Sequence, residues 1–335
     1  MQTSEAIFDY MNRWGALRRP FFFMLDFEAK RGEILPISEL AAHSIFADFS
    51  GSDAFQSNWL KTNQLGPTYI PSSIPVTLKA FPMDIEAYRS QFEAVQDVLK
   101  QGDSFLLNLT CETPININRS LEEIFIQARS KYKLLYKKQF VSTSPETFIQ
   151  IKEGVIHTHP MKGTLPADYP NAEQTLLADV KEKAEHSTIV DLLRNDLSRV
   201  AHDVQVKRFR YIETLETHQG GLLQTSSHIT GTLPENYQNE LGDLLKQLLP
   251  AGSISGAPKK KTVQHIKQIE THARGFYTGI MGIFDGNNLD TAVLIRMIVQ
   301  TQTGLVYKSG GGITALSQLE EEYNEMQQKI YVPIH

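Results

Sequence analysis

The chain has 335 residues, 41% of them apolar and 21% charged, with a formal net charge of −5 and one cysteine, Cys111. It is long enough to bury a sizeable core, its acidic balance leaves no electrostatic footprint for nucleic acid or an anionic membrane, and one cysteine excludes an internal disulfide or a thiolate metal cluster. No apolar run approaches the length needed to span a bilayer and the first residues lack the layout of a secretion signal, so a cytoplasmic protein is expected.

In chain order, residues 1–84 mix short apolar runs with turn signals and carry no chemically readable motif; residues 21–27 read as a strand and 71–75 as a connector. From Ile85 the pattern becomes that of an amphipathic helix, with Tyr88, Phe92, Val95, Val98 and Leu99 near a 3.6 period until Gly102-Asp103 ends it. A strand over 104–111 carries Cys111 as a small core residue, and a helix is expected over 121–132. Runs 147–151 and 155–159, rich in β-branched and aromatic residues, flank Lys152-Glu153-Gly154 and predict a β-hairpin. Helices follow over 172–177 and 179–201, then strand-like runs over 211–233 broken at Gly220-Gly221 and Gly231. The remainder reads as a helix after Pro258, strands over 278–284, 290–299 and 305–308, and a last helix over 319–330. So irregular an alternation argues for a mixed α+β protein rather than a simple barrel.

Five stretches could carry chemistry. Counting outward from the three-residue turn sets Glu146 opposite Pro160, two positions before Lys162, so a carboxylate and an amine reach one end of the hairpin. Gly163 allows close backbone approach there and Thr164 adds a hydroxyl; the plainer reading is a surface ion pair. On the helix over 179–201, Ile189, Leu192, Leu193, Leu197 and Val200 form a buried stripe, with Glu185 on nearly the same face. Pro250-Ala251-Gly252-Ser253-Ile254-Ser255-Gly256-Ala257-Pro258 is either an anion site before a helix or a plain loop, and its glycine spacing is not that of a P-loop. Gly310-Gly311-Gly312 offers close backbone approach or marks a tight turn. Finally, Glu322, Glu325 and Lys329 share a face of the last helix, a hard-oxygen pair suited to Mg²⁺ or a solvated acidic helix.

Taken together, Ser-Pro-Glu at 144–146, Met-Lys-Gly-Thr at 161–164, Glu185 with Val190-Asp191-Leu192-Leu193-Arg194-Asn195-Asp196, the 250–259 stretch, Arg274-Gly275-Phe276-Tyr277-Thr278-Gly279, Ile295-Arg296 and the triple glycine with the closing Glu-Glu-Tyr-x-Glu resemble the chorismate-utilising enzymes in order and spacing. The resemblance covers residues 85–330 and implies an α+β fold in which a large β-sandwich is surrounded by helices, with the active site between the sheets. Residues 1–84 are then a short N-terminal part of that fold and 85–335 its chorismate-binding catalytic domain. Within the family the motifs look most like the aminodeoxychorismate synthases, because Lys162 stands where anthranilate synthases usually carry alanine.

The resemblance implies a covalent role for Lys162 at ring carbon C2, which requires a neutral amine and hence a depressed pKa, and makes Glu146 the general acid/base. It matches Glu185 and Glu325 to Mg²⁺ ligands, with Glu322 a further contact through water, and Arg296 and Tyr277 to the pair holding the enolpyruvyl carboxylate. Gly310, Gly312, Ser253, Thr164 and Lys329 match contacts to the substrate or beside the metal. Leu106 stands where isochorismate-forming relatives place a water-activating lysine, Gln224 replaces a common histidine, and Leu316 a common aspartate. The short N-terminal part implies no tryptophan feedback site. Cys111 lacks a glutaminase-like setting, so a separate glutamine amidotransferase subunit is implied as the ammonia source. An anthranilate synthase component I is the rival expectation, and a non-catalytic chorismate-binding protein a distant one.

Overall fold

The strand Phe21–Leu25 is buried along its whole length. Its alternate residues go two ways. Phe21, Phe23 and Leu25 pack with Ile7, Phe8 and Met11 of the helix Ser4–Ala16, whereas Phe22 and Met24 pack with Tyr132, Tyr136 and Phe140 of a facing sheet. The period-two geometry of a strand thus feeds two core layers from one unbroken apolar run, each buried phenylalanine contributing about 2 kcal/mol. Ile280–Phe284 and Leu289–Val293 are equally buried for the same reason.

The computed structural model describes residues 1–50, 74–217 and 220–334. Among them, two fully antiparallel sheets of ten and eight strands face each other, with helices around them, which is the expected α+β sandwich. The larger sheet runs Gln2–Thr3, Arg31–Pro36, Phe21–Leu25, Ile280–Phe284, Leu289–Val293, Thr147–Lys152, Val155–Thr158, Gly220–Thr232, Met161–Pro166, with His202–Thr217 also paired to Gly220–Thr232. The smaller runs Gly256–Ala257, Leu106–Ile117, Gly304–Ile313, Met297–Thr301, Phe140–Ser144, Tyr132–Tyr136, Ile45–Phe49, with Leu78–Ala80 on Leu106–Ile117. Strands from the first fifty residues therefore sit in both sheets. The connector expected at 71–75 lies largely outside the described residues. No helix among those described is long and apolar enough to cross a membrane.

Side chains cap the starts of two helices. Asp84 accepts from Ala87 N at 2.8 Å ahead of Ile85–Lys100, and Asp179 accepts from Glu182 N at 2.9 Å ahead of Val180–Leu197. Four expectations need correction. The helix expected over 121–132 stops at Gln127, because Ala128 turns extended and Tyr132–Tyr136 becomes a strand of the smaller sheet. The strand expected over 290–299 is two strands in different sheets, with the chain crossing over where Arg296 takes φ 50°. The triple glycine is part of the strand Gly304–Ile313 and not a turn. In the hairpin, Lys152 pairs with Val155 across a two-residue turn in which Glu153 (φ 50°) and Gly154 (φ 78°) are both left-handed, the geometry that matches the twist of the strands. That register shifts the count by one, setting Glu146 level with Met161 rather than Pro160.

Candidate active site

Glu146 is held by its backbone and aimed by one hydroxyl. Its N–H donates to Ser144 Oγ at 3.1 Å, its carbonyl accepts from Val293 N at 3.1 Å, and its Oε1 accepts from Ser253 Oγ at 2.6 Å. Burial pushes its carboxyl up from the usual range, against the opposing pull of Ser253, Arg296 and Lys329. Ser253 lies on the four-residue helical turn Gly252–Ser255. The backbone after it is already committed: Gly256 and Ala257 pair with Leu107 and Leu106, and Lys259 forms a buried ion pair with Asp196 at 2.6 Å. The stretch is thus a fixed strut rather than an open anion cradle.

Lys162 pairs with Thr225 on the neighbouring strand and Thr164 with Gln224, so Gly163, at φ 73°, is the extra residue of a β-bulge. Successive positions on the partner strand face opposite sides, which turns Thr164 to the face away from Lys162, where it is exposed. The Lys162 ammonium lies 2.7 Å from Glu185 Oε2. Burial pulls its pKa down, but Glu185 and then Glu325 outweigh that and leave it well above the ordinary lysine value. The depressed pKa expected from the sequence is therefore overturned for the site as it stands, and the reason is the carboxylates it faces.

On the other side, Lys329, the residue that caps Leu319–Gln328, donates to Gly310 O at 2.8 Å and pairs with Glu325 Oε1 at 2.6 Å. Burial moves this lysine downward, the opposite of Lys162. Glu322 is buried at 5% exposure, while the Glu325 side chain is 42% exposed. Gly311, not Gly310 or Gly312, faces them: a Cβ there would stand 3.5 Å from both carboxylates and 3.6 Å from Lys329 Nζ, whereas at Gly310 it would overlap the Leu109 carbonyl. Among the described residues no three His, Cys, Asp or Glu side chains converge as a ready metal cage. The donor chemistry nevertheless fits a hard divalent cation. Glu185 Oε1 is buried without a hydrogen-bond partner among the described residues, and Gly311 carries no side chain to separate its strand from two further carboxylates.

Arg296 reaches the site on the crossover between the sheets, which Thr143 N holds by donating to its carbonyl at 3.1 Å. Its guanidinium lies 5.1 Å from the Tyr331 ring centroid, and its buried Nε has no partner among the described residues. Tyr277, 4% exposed, has its phenol pushed up by burial, with Arg296 pulling the other way. Arg274 anchors that turn: it donates to Glu270 Oε1 at 2.7 Å, Ile254 O at 2.9 Å and Thr278 Oγ1 at 3.2 Å. Electrostatic influences link Glu146, Arg296, Lys329, Lys162, Glu185 and Glu325 into one cluster, in which the Glu146 carboxylate is bonded to Ser253 and the Lys162 ammonium to Glu185. Glu182 joins it unforeseen. It lies one turn before Glu185, its Oε2 is buried without a partner among the described residues, and burial pushes its carboxyl up, with Lys162 opposing. Its i, i+3 spacing from Glu185 was the available signal.

Arg296, Lys162, Lys329 and a row of carboxylates are thus gathered from the two antiparallel sheets and the helices beside them. The chain belongs to the chorismate binding enzyme family, which it matches over residues 55–335. It is 49% identical over 330 residues to an uncharacterized PabA-like protein of Pasteurella multocida, spanning 98% of this chain and 99% of the relative. It is 33% identical over 292 residues to aminodeoxychorismate synthase component 1 of Salmonella typhimurium, spanning 83% of this chain and 63% of that one. The crystal structure of anthranilate synthase component I from Streptococcus pneumoniae superposes with a TM-score of 0.64 at 27% identity, covering 77% of this chain and 59% of that chain. The chain thus spans the full length of the first relative but less than two thirds of the two whose activity is stated.

Proposed function

We propose that this protein is an aminodeoxychorismate synthase component I, converting chorismate and ammonia to 4-amino-4-deoxychorismate in the cytoplasm on the way to para-aminobenzoate and folate. The observation that carries this reading is Lys162, an amine set against Glu185 at 2.7 Å in a site that also holds Arg296, whose buried Nε has no hydrogen-bond partner among the described residues. Arg296, with the Tyr277 hydroxyl, receives the enolpyruvyl carboxylate; Gly310 and Gly312 bring backbone close to the ring, and Lys329 adds positive charge. Glu185 and Glu325, with Glu322 beside them, would hold Mg²⁺, which when bound supplies Lewis-acid neutralisation of the ring carboxylate. Lys162 forms a bond to C2 while the two conjugated ring double bonds both shift and the 4-hydroxyl departs as water, taking a proton from Glu146. Ammonia then bonds to C4 and gives a proton back to Glu146, and the two double bonds shift back to expel the lysine as the free amine. Addition needs the free amine, so Glu185 and Glu325 must be engaged by other positive charge before Lys162 reacts.

Ammonia from a separate glutamine amidotransferase subunit fits Cys111, which is 1% exposed and whose thiol burial pushes up to about 12, unsuited to glutamine hydrolysis. The second reading is an anthranilate synthase component I, favoured by the structural similarity to the Streptococcus pneumoniae enzyme. Product analysis separates them: purified protein is given chorismate, Mg²⁺ and ammonium, with and without aminodeoxychorismate lyase. 4-Aminobenzoate that appears only with the lyase is the expected result. Anthranilate would support the second reading, and chorismate binding without either product would leave a non-catalytic protein.

A further inference from the structure

Three contacts hold the segment that carries Ser253. The Lys259 ammonium, 9% exposed, pairs with Asp196, 5% exposed, at 2.6 Å and donates to Leu248 O at 2.6 Å. Arg274 ties Ile254 O at 2.9 Å. Gly252 packs on the helix Val180–Leu197 so closely that a Cβ would come within 2.9 Å of Leu192 Cδ2 and 3.1 Å of Asp196 Oδ2. The segment between Leu248 and Lys259 is therefore clamped at both ends and in the middle. Within it Ser253 donates to Glu146 Oε1 at 2.6 Å.

We propose that Asp196 and Lys259 are positioning residues, a buried clamp that holds Ser253 against Glu146 and so sets the proton affinity of the general acid. This rests on the reading of Glu146 as that acid. A buried ion pair is a poor source of net stability, since desolvating both charges offsets most of their attraction, so placement of the segment is the more economical account of this one. The charged groups acting on Glu146 are Arg296 from the sheet crossover and Lys329 from the end of Leu319–Gln328, and neither belongs to the clamped segment. Ser253 donates to the carboxylate form, so its loss raises the affinity of Glu146 for a proton.

The test titrates Glu146 directly, following its carboxylic C=O infrared band by subtraction of the Glu146→Gln spectrum. Ser253→Ala is expected to move the midpoint upward by about one pH unit, the weight of one hydrogen bond to a charged group. Lys259→Met is expected to give a shift of the same sign, and the double variant no more than Ser253→Ala alone, because the clamp acts only through the serine. Should Lys259→Met not fold, Gly252→Ala displaces the same segment by a few tenths of an ångström and is expected to give a smaller upward shift. An unmoved midpoint in Ser253→Ala, or in both clamp variants, overturns the proposal. Titration as expected without chorismate turnover would sink the functional reading and leave the clamp standing; turnover with an unmoved midpoint would do the reverse.

Discussion

Lys162 on the larger sheet and Glu185 on the helix Val180–Leu197 form a 2.7 Å ion pair, and Glu185 keeps its other oxygen without a hydrogen-bond partner among the described residues. The carboxylate we propose for a cation is thus partly occupied by the lysine we propose for the substrate. Replacing Glu185 with glutamine removes the strongest charge holding the ammonium, so the Lys162 pKa falls. Acetylation of Lys162 at a fixed pH near 8, followed by peptide mass spectrometry, should become several-fold faster in Glu185→Gln. An unchanged rate would show that Glu185 does not govern this lysine.

The covalent role proposed for Lys162 has its own signature. Intact-mass spectra of the wild-type protein quenched with chorismate and Mg²⁺ should show an adduct, and Lys162→Ala should show none. Amination at C4 by Lys162→Ala at an undiminished rate would rule out the lysine as nucleophile.

Gly310 and Gly311 make a matched pair of tests. A methyl at Gly310 would collide with the Leu109 backbone, so Gly310→Ala should cost several kcal/mol in thermal or denaturant unfolding. At Gly311 the same methyl meets only ordinary contacts at 3.5 Å from Glu322 and Glu325, so stability should change by less than about 1 kcal/mol while Mg²⁺ binding, read by calorimetry, weakens. Equal Mg²⁺ affinity in Gly311→Ala and wild type would move the cation site elsewhere.

Histidine burial sets an acid limit on stability. Burial pushes His186, which is 0% exposed, down to about 4, and does the same to His159. An unfolded histidine titrates near 6.5, so between about pH 6.5 and 4 the unfolded chain takes up a proton that the native one refuses. Stability is therefore full above pH 6.5, falls as pH drops through that value, and levels off near 4. From His186 alone the loss at pH 5 should be about 2 kcal/mol, and His186→Gln should flatten that part of the urea-unfolding curve against pH. A wild-type stability flat from pH 7 to 5 would contradict this.

Much of the site was legible because its residues sit in local patterns. Glu322, Glu325 and Lys329 share a helix face by spacing alone, and Lys162 stands beside a glycine that does bulge. The misses have physical causes. A strand-like run over 290–299 gives no sign of where the chain leaves one sheet for the other, since the residues that start the second strand, Met297 and Ile298, are as apolar and buried as Ala292 and Val293 at the end of the first. The helix past Gln127 failed because Tyr132 and the residues after it gain more from pairing with Ile45–Phe49 than from helical propensity. Thr164 went to the far face because one bulged residue reverses side-chain alternation.

The sequence by itself determined the inventory of this protein: the α+β class, the family, the amine, the acid, and the carboxylates with the spacing to share a helix face. Only the tertiary structure decided which of them meet: Lys162 with Glu185, Ser253 with Glu146, and Gly311 with the acidic helix. Spacing along the chain fixes which face of one element a side chain occupies, whereas pKa and pairing depend on charges brought from distant elements, and those distances exist only once the two sheets have packed.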